Sequence, residues 1–223
     1  MYGGAGAYHP DQARVANEPA RRWRPPGYAL VACAAAIGAL TGLGVALVRS
    51  SHAPAAAPPP LQAQVTWAAG TKHAPAFSLR DEAGRRVSLR SLRGHAVLLT
   101  FLDSQCKREC PVEGRVLRSV LDRVKGTGAS TLVVSIDPWG DTPASARTFA
   151  ARARWQGDWH WLLGAKTDLA PVWRAYNIAV KRVPGDVLHA AALYVIDPRG
   201  DLRAAYLFPF SADVVAADVR RLT

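Results

Sequence analysis

A chain of 223 residues has room for one folded domain or two small ones, and 49% hydrophobic against 20% charged residues excludes a wholly disordered or fibrous protein. Three cysteines are too few for a disulfide-stapled scaffold. A formal charge of +11 suits nucleic acid, anionic lipid or acidic partners and chooses none of them.

Within an N-terminal tail of residues 1–27, residues 1–20 carry Gly3, Gly4, Gly6, Pro10 and Pro19 and show no apolar periodicity, so they are expected to be unstructured. Tyr28 to Val48 then runs for 21 residues without a charge, which as a helix reaches roughly 30 Å, the thickness of a bilayer's hydrocarbon core. It is read as a transmembrane helix. Arg21, Arg22 and Arg24 precede it, and only Arg49 follows before Lys72. By the positive-inside rule the tail is cytoplasmic and the rest of the chain lies on the extracytoplasmic side of the cell membrane. A cleaved signal peptide ending near Ala53-Pro54-Ala55 competes with this reading, as does lipid attachment at Cys33, but the apolar run is longer than either requires. Pro54 and Pro58-Pro59-Pro60 make 49–64 a semi-extended tether. One domain, 65–223, remains. Its formal charge of +8 is spread without a Lys/Arg run, and with its exported location this speaks against nucleic acid as a partner.

Within the domain, Phe77-Ser78-Leu79 and Val87-Ser88-Leu89 flank the turn Asp81-Glu82-Ala83-Gly84 and predict a small hairpin. Ala96 to Leu102 predicts a strand buried on both faces. A helix is expected from Pro111 to about Val124, with Val112, Val116, Val120, Leu121 and Val124 as its buried stripe. Thr131 to Ile136 predicts a second core strand. Asp141-Thr142-Pro143 opens a helix to about Arg154, with Asp141 or Thr142 as cap. Asp168 to Tyr176 reads as a helix, Ala191 to Ile196 and Leu202 to Leu207 as strands around the turn Asp197-Pro198-Arg199-Gly200, and Ser211 to Leu222 as a last helix. This order is that of an α/β, thioredoxin-like domain, a central sheet flanked by helices, preceded by the transmembrane segment.

Cys106 and Cys110 fall between the end of a core strand and the start of a helix, where α/β sheets place their sites. Pro111 suits the first helical position, so Cys110 is expected near the N-cap, with its thiol made acidic by the helix dipole. Lys107 and Arg108 add positive charge beside both sulfurs. The spacing allows a small disulfide or a metal chelate. His189, just before a central strand, can face the thiols. Two thiolates and an imidazole form a trigonal set that suits Cu(I) and can rearrange for Cu(II), whereas structural zinc wants four protein ligands. His9 and His52 lie in tails, His73 and His95 precede strands at the far end, and His160 lies in a Trp-rich segment.

Val97-Leu98-Leu99-Thr100-Phe101 followed by C-x-x-x-C-P, then Ser135-Ile136-Asp137-Pro138-Trp139-Gly140-Asp141-Thr142-Pro143, then His189 before Leu193-Tyr194-Val195-Ile196-Asp197-Pro198-Arg199-Gly200, resembles the Sco/SenC family over about residues 70–223. The resemblance implies copper bound by Cys106, Cys110 and His189 and delivered to the copper A subunit of cytochrome c oxidase, with an upstream copper donor or thiol reductant as a further partner. Asp137 matches a family carboxylate near the metal. Lys107 stands where the family usually has Pro, and Leu188 where it often has Asp. The competing function is a thiol:disulfide oxidoreductase using Cys106 and Cys110 as a redox pair, which needs neither histidine nor metal. A peroxidase would want Thr at position 103, where Asp103 stands.

Overall fold

The structure, a computed structural model, describes Gly27 and residues 60–223. The expected cytoplasmic tail, the transmembrane helix 28–48, Cys33 and the tether through residue 59 lie outside the described residues. Among those described, no helix is long and apolar enough to cross a membrane.

In chain order the strands are β1 (Val65–Thr66), β2 (Ser78–Arg80), β3 (Arg86–Ser88), β4 (Val97–Leu102), β5 (Ser130–Ser135), β6 (Trp159–Leu162), β7 (Val180–Val183), β8 (Asp186–His189), β9 (Ala192–Ile196) and β10 (Leu202–Leu207). The helices are α1 (Glu109–Arg123), α2 (Pro143–Arg152), α3 (Lys166–Ala175) and α4 (Ala212–Leu222). Six strands form one mixed sheet in the order β1-β10-β9-β4-β5-β6, while β2–β3 and β7–β8 are separate hairpins. β4, β5 and β6 run parallel, and β9 pairs antiparallel with β4. This is the expected thioredoxin-like arrangement, a central mixed sheet with four helices.

Every residue of β4 and β5 is buried, because helices or hairpins cover both faces of the sheet. Leu98 and Leu102 of β4 point into a cluster with Leu117 and Val120 of α1, Phe149 of α2 and Val215 and Val219 of α4. Leu99 and Phe101 point the other way, to Leu169 and Trp173 of α3 and Leu79 and Val87 of the first hairpin. That alternation is the period-2 geometry of a strand. Fully buried side chains of this kind contribute roughly 1.5–3 kcal/mol each. Gly114 lets α1 and α2 approach: a Cβ there would lie 2.8 Å from a ring carbon of Phe149.

The last residues of the expected tether pack on the domain. Leu61 and Ala63 lie against the first cluster, the Gln62 N–H donates to Asp218 at 2.6 Å, and Arg221 donates to the Pro60 carbonyl at 3.0 Å. Residues 60–223 form a compact unit that holds both core clusters.

Three expectations are corrected. α1 starts at Glu109, two residues before Pro111, with Arg108 as an N-cap that makes no side-chain bond. Its buried stripe is therefore Cys110, Glu113, Gly114, Leu117, Val120 and Leu121, and Val112 is 41% exposed. Of the two expected caps of α2, Thr142 takes the role, in a capping box with Ser145, and Asp141 is turned inward. Strand β6 and the hairpin β7–β8 were not expected at all.

Candidate functional site

The chain leaves β4 at Leu102 and makes a tight loop, Asp103 to Cys106, before α1. Asp103 is buried, and its carboxylate accepts the Gln105 N–H at 2.6 Å. Asp141 fixes the next residue: it accepts from the Ser104 N–H at 2.9 Å and the Ser104 hydroxyl at 2.5 Å, and its other oxygen accepts from Ser135 at 2.6 Å. Burial raises its pKa to about 6 against the pull of those hydrogen bonds. Asp141 thus ties the cysteine loop to the end of β5.

Cys106 is half-buried and Cys110 is 1% exposed; both are free thiols. The early start of α1 places Cys110 inside the first turn and leaves Cys106 folded over the helix N-terminus, where the Cys110 N–H points at its sulfur at 3.5 Å. Cys106 accordingly becomes the acidic thiol. The Cys110 thiol bonded to it is the main cause, and the N–H groups of Cys110 and Arg108 add to it against the cost of burial, bringing its pKa down to about 6. Cys110 moves the opposite way, raised by its bond to Cys106 and by burial. The expectation that Cys110 would be the activated thiol is therefore reversed. The charge expected from the neighbouring side chains is also partly spent, since Arg108 lies 3.8 Å from Glu109 and 4.0 Å from Asp186. Lys107 and Arg108 side chains are not among the leading causes of the Cys106 shift.

His189 ends β8 and reaches the thiols from the hairpin β7–β8. Its Nδ1 lies 3.1 Å from the Ala190 carbonyl, which can only accept, so the ring proton sits on Nδ1. Nε2 is left with a lone pair facing Cys110 Sγ at 3.7 Å. Burial lowers the imidazole's pKa and keeps it neutral. Of the three residues singled out in the sequence, Cys110 therefore touches both others, His189 through its sulfur and Cys106 through its N–H. Two thiols and a neutral imidazole form a soft donor set, although among the described residues no three His, Cys, Asp or Glu side chains already stand as a metal cage.

A cleft of about 410 Å³ opens over Cys106, lined also by Asp103, Asp137, Trp139, Arg182 and Asp186. The Arg182 guanidinium stacks 4.7 Å from the Trp139 ring centroid. Asp137 accepts the Trp139 N–H at 3.1 Å, so it both shapes its own turn and faces the cleft. Two of the other histidines are engaged elsewhere: His73 with Asp201 at 2.5 Å, and His160 between Asp81 at 3.0 Å and Asp158 at 3.1 Å.

Glu113 escaped the sequence reading. It is 1% exposed, one turn beyond Cys110, and burial raises its pKa to about 7. Thr100 Oγ1 lies 2.7 Å from its carboxyl and 3.1 Å from the Ala192 carbonyl. One hydroxyl proton cannot serve both acceptors, whereas a protonated Glu113 donating to Thr100, which donates to Ala192, satisfies all three. This chain of bonds links the helix of Cys110 to β4 and to the strand that follows His189.

Relatives share this fold. The chain is 26% identical over 137 residues to the SCO1 protein homolog of Bacillus subtilis, covering 58% of this chain and 71% of that protein. The structure of Bradyrhizobium japonicum ScoI with copper bound superposes with a TM-score of 0.60 at 26% identity, covering 68% of this chain and 99% of the other. BsSco, a member of the Sco family of cytochrome c oxidase assembly proteins, gives a TM-score of 0.62 at 23% identity, over 71% and 97% of the two chains. The sequence profile of the SCO1/SenC family matches residues 66–223, from β1 to the end of the chain, and the protein belongs to that family.

Proposed function

We propose that this chain is a membrane-anchored copper chaperone whose domain works on the extracytoplasmic side, binding copper through Cys106, Cys110 and His189 and delivering it to the copper A centre of cytochrome c oxidase. The meeting of Cys110 Sγ and His189 Nε2 at 3.7 Å, beside the acidic Cys106, carries this reading. It is supported by family membership and by the copper in B. japonicum ScoI. Copper is cargo here. At neutral pH Cys106 is already a thiolate, Nε2 is already a lone pair, and only the Cys110 proton must leave for three donors to face one ion. Such a set holds Cu⁺ without closing a tetrahedral cage, so an acceptor's own thiolates can exchange in. Cu(I) titration of the reduced chain against a competing chelator tests this: one ion per chain is expected, with marked weakening in Cys106→Ala, Cys110→Ala and His189→Ala. Unchanged affinity in His189→Ala would overturn the three-ligand reading.

One observation favours a second reading. A half-buried thiolate paired with a buried, protonated thiol is also the asymmetry of a thiol:disulfide oxidoreductase. Cys106 would attack an acceptor disulfide, expelling one acceptor thiolate, and Cys110 would then attack Cys106 Sγ, releasing the second and closing the Cys106–Cys110 disulfide. Disulfide reduction that survives in His189→Ala while copper uptake does not separates the two activities.

A further inference from the structure

The two ends of the sheet differ in what they expose. β4, β5 and β6 begin at one end, where β9 finishes and β10 starts. Cys106 and His189 lie at the opposite end, about 20 Å away for a six-residue strand. Four cations stand at the end remote from the thiols: Arg93 before β4, Lys125 between α1 and β5, Arg199 in the β9–β10 turn and Arg220 at the close of α4. Arg220 belongs there because it donates to the carbonyl of Arg123, the last residue of α1, at 3.0 Å. All four are exposed, and none has a carboxylate within 4 Å among the described residues. The carboxylates of this end are also engaged: Asp197 by Arg203 at 3.0 Å, Asp201 by His73, Asp122 by Arg118 at 2.7 Å and Asp158 by His160 at 3.1 Å.

The chain also enters the domain at this end. Arg221, beside Arg220, holds the Pro60 carbonyl, and residues 61–63 then climb along α4 to β1. Exposed large apolar side chains are found elsewhere: Val112, Trp139 and Leu188 near the thiols, Val65 and Leu207 at the sheet edge. A protein interface wants an apolar centre, whereas a charged bilayer surface asks only for cations. We infer that the Arg93–Lys125–Arg199–Arg220 end is a docking surface for anionic lipid headgroups, seating the domain on the membrane with the thiol and imidazole site turned away from it. The orientation rests on the membrane-anchored reading above; the lipid contact itself does not.

Residues 60–223, which contain both core clusters, test it without any anchor. They should co-sediment with vesicles of phosphatidylcholine and phosphatidylglycerol in equal parts, be released by salt, and ignore vesicles of phosphatidylcholine alone. At roughly five-fold per cation near an anionic surface, Arg93→Gln, Lys125→Gln, Arg199→Gln and Arg220→Gln together should weaken binding by several hundred-fold. The thermal melt and Cu(I) uptake of this variant should match the parent's, which shows that the fold and the distant site are intact. Parent-like sedimentation of the fourfold variant would overturn the inference, and so would loss of binding caused instead by Lys107→Gln with Arg182→Gln at the thiol end. Failed copper uptake with intact lipid binding would count against the copper reading alone.

Discussion

Cys106 and Cys110 are four residues apart, yet their protons are held very differently, because one sulfur sits over the open N–H groups of α1 and the other is sealed inside its first turn. The sequence makes the pair legible but not the order of acidity, which turns on a helix start two residues earlier than Pro111 suggests. Because the Cys110 thiol is the main cause of the Cys106 shift, Cys110→Ala should raise the Cys106 pKa from about 6 toward the ordinary 9, read from alkylation rate against pH. A pKa still near 6 would assign the shift to the backbone alone. The depressed pKa also sets a pH window for stability. The thiolate's contribution is complete above about 9, where the unfolded thiol is ionised too, and is lost as pH falls through about 6. His189 was legible from its place before a core strand; the hairpin that delivers it was missed, although Pro184-Gly185 between two extended runs is a turn signal.

At the scale of elements, two buried carboxyls hold the parts of the site together, and neither has a sequence signature, since Asp141 reads as a cap and Glu113 as one polar residue on an amphipathic helix. Asp141→Ala leaves the part-buried Ser104 N–H and the Ser135 hydroxyl without acceptors and should cost roughly 1–3 kcal/mol in urea denaturation, while Asp141→Asn, which keeps an acceptor, should cost less. Equal losses in the two variants would contradict the anchoring role. Glu113 works in the opposite pH sense from Cys106. Its folded pKa, about 7, exceeds the ordinary 4.5, so its favourable contribution is complete below 4.5 and is lost as pH rises through 7, an effect of about 3 kcal/mol at most. Asp141 acts in the same direction but is largely ionised above about 6. Glu113→Gln should therefore flatten the fall in stability between about pH 4.5 and 7, and the change is read most cleanly above 6, where Asp141 no longer contributes. An unchanged slope there would mean that Glu113 is ionised in the fold.

For the whole molecule, the continuous apolar runs at 97–102 and 131–136 made the central parallel strands legible, and the alternation of strands and helices gave the topology. The docking of residues 60–63 on α4 was illegible, because Pro58-Pro59-Pro60 looks like pure tether and the buried acceptor, Asp218, lies 156 residues from Gln62. The arginines before Tyr28 lead to the expectation that the chain stays in membranes through a carbonate wash and that a reporter after residue 223 is active only outside the cytoplasm. Release of a soluble form lacking the residues before Ala56 would instead favour signal-peptide cleavage. The central claim is that two sulfurs and one imidazole nitrogen close on a single copper ion, and X-ray absorption of the Cu(I)-loaded, reduced chain measures this most directly. The account predicts two sulfur and one nitrogen neighbours, with the nitrogen absent in His189→Ala; a sulfur-only shell that is the same in parent and variant would contradict it.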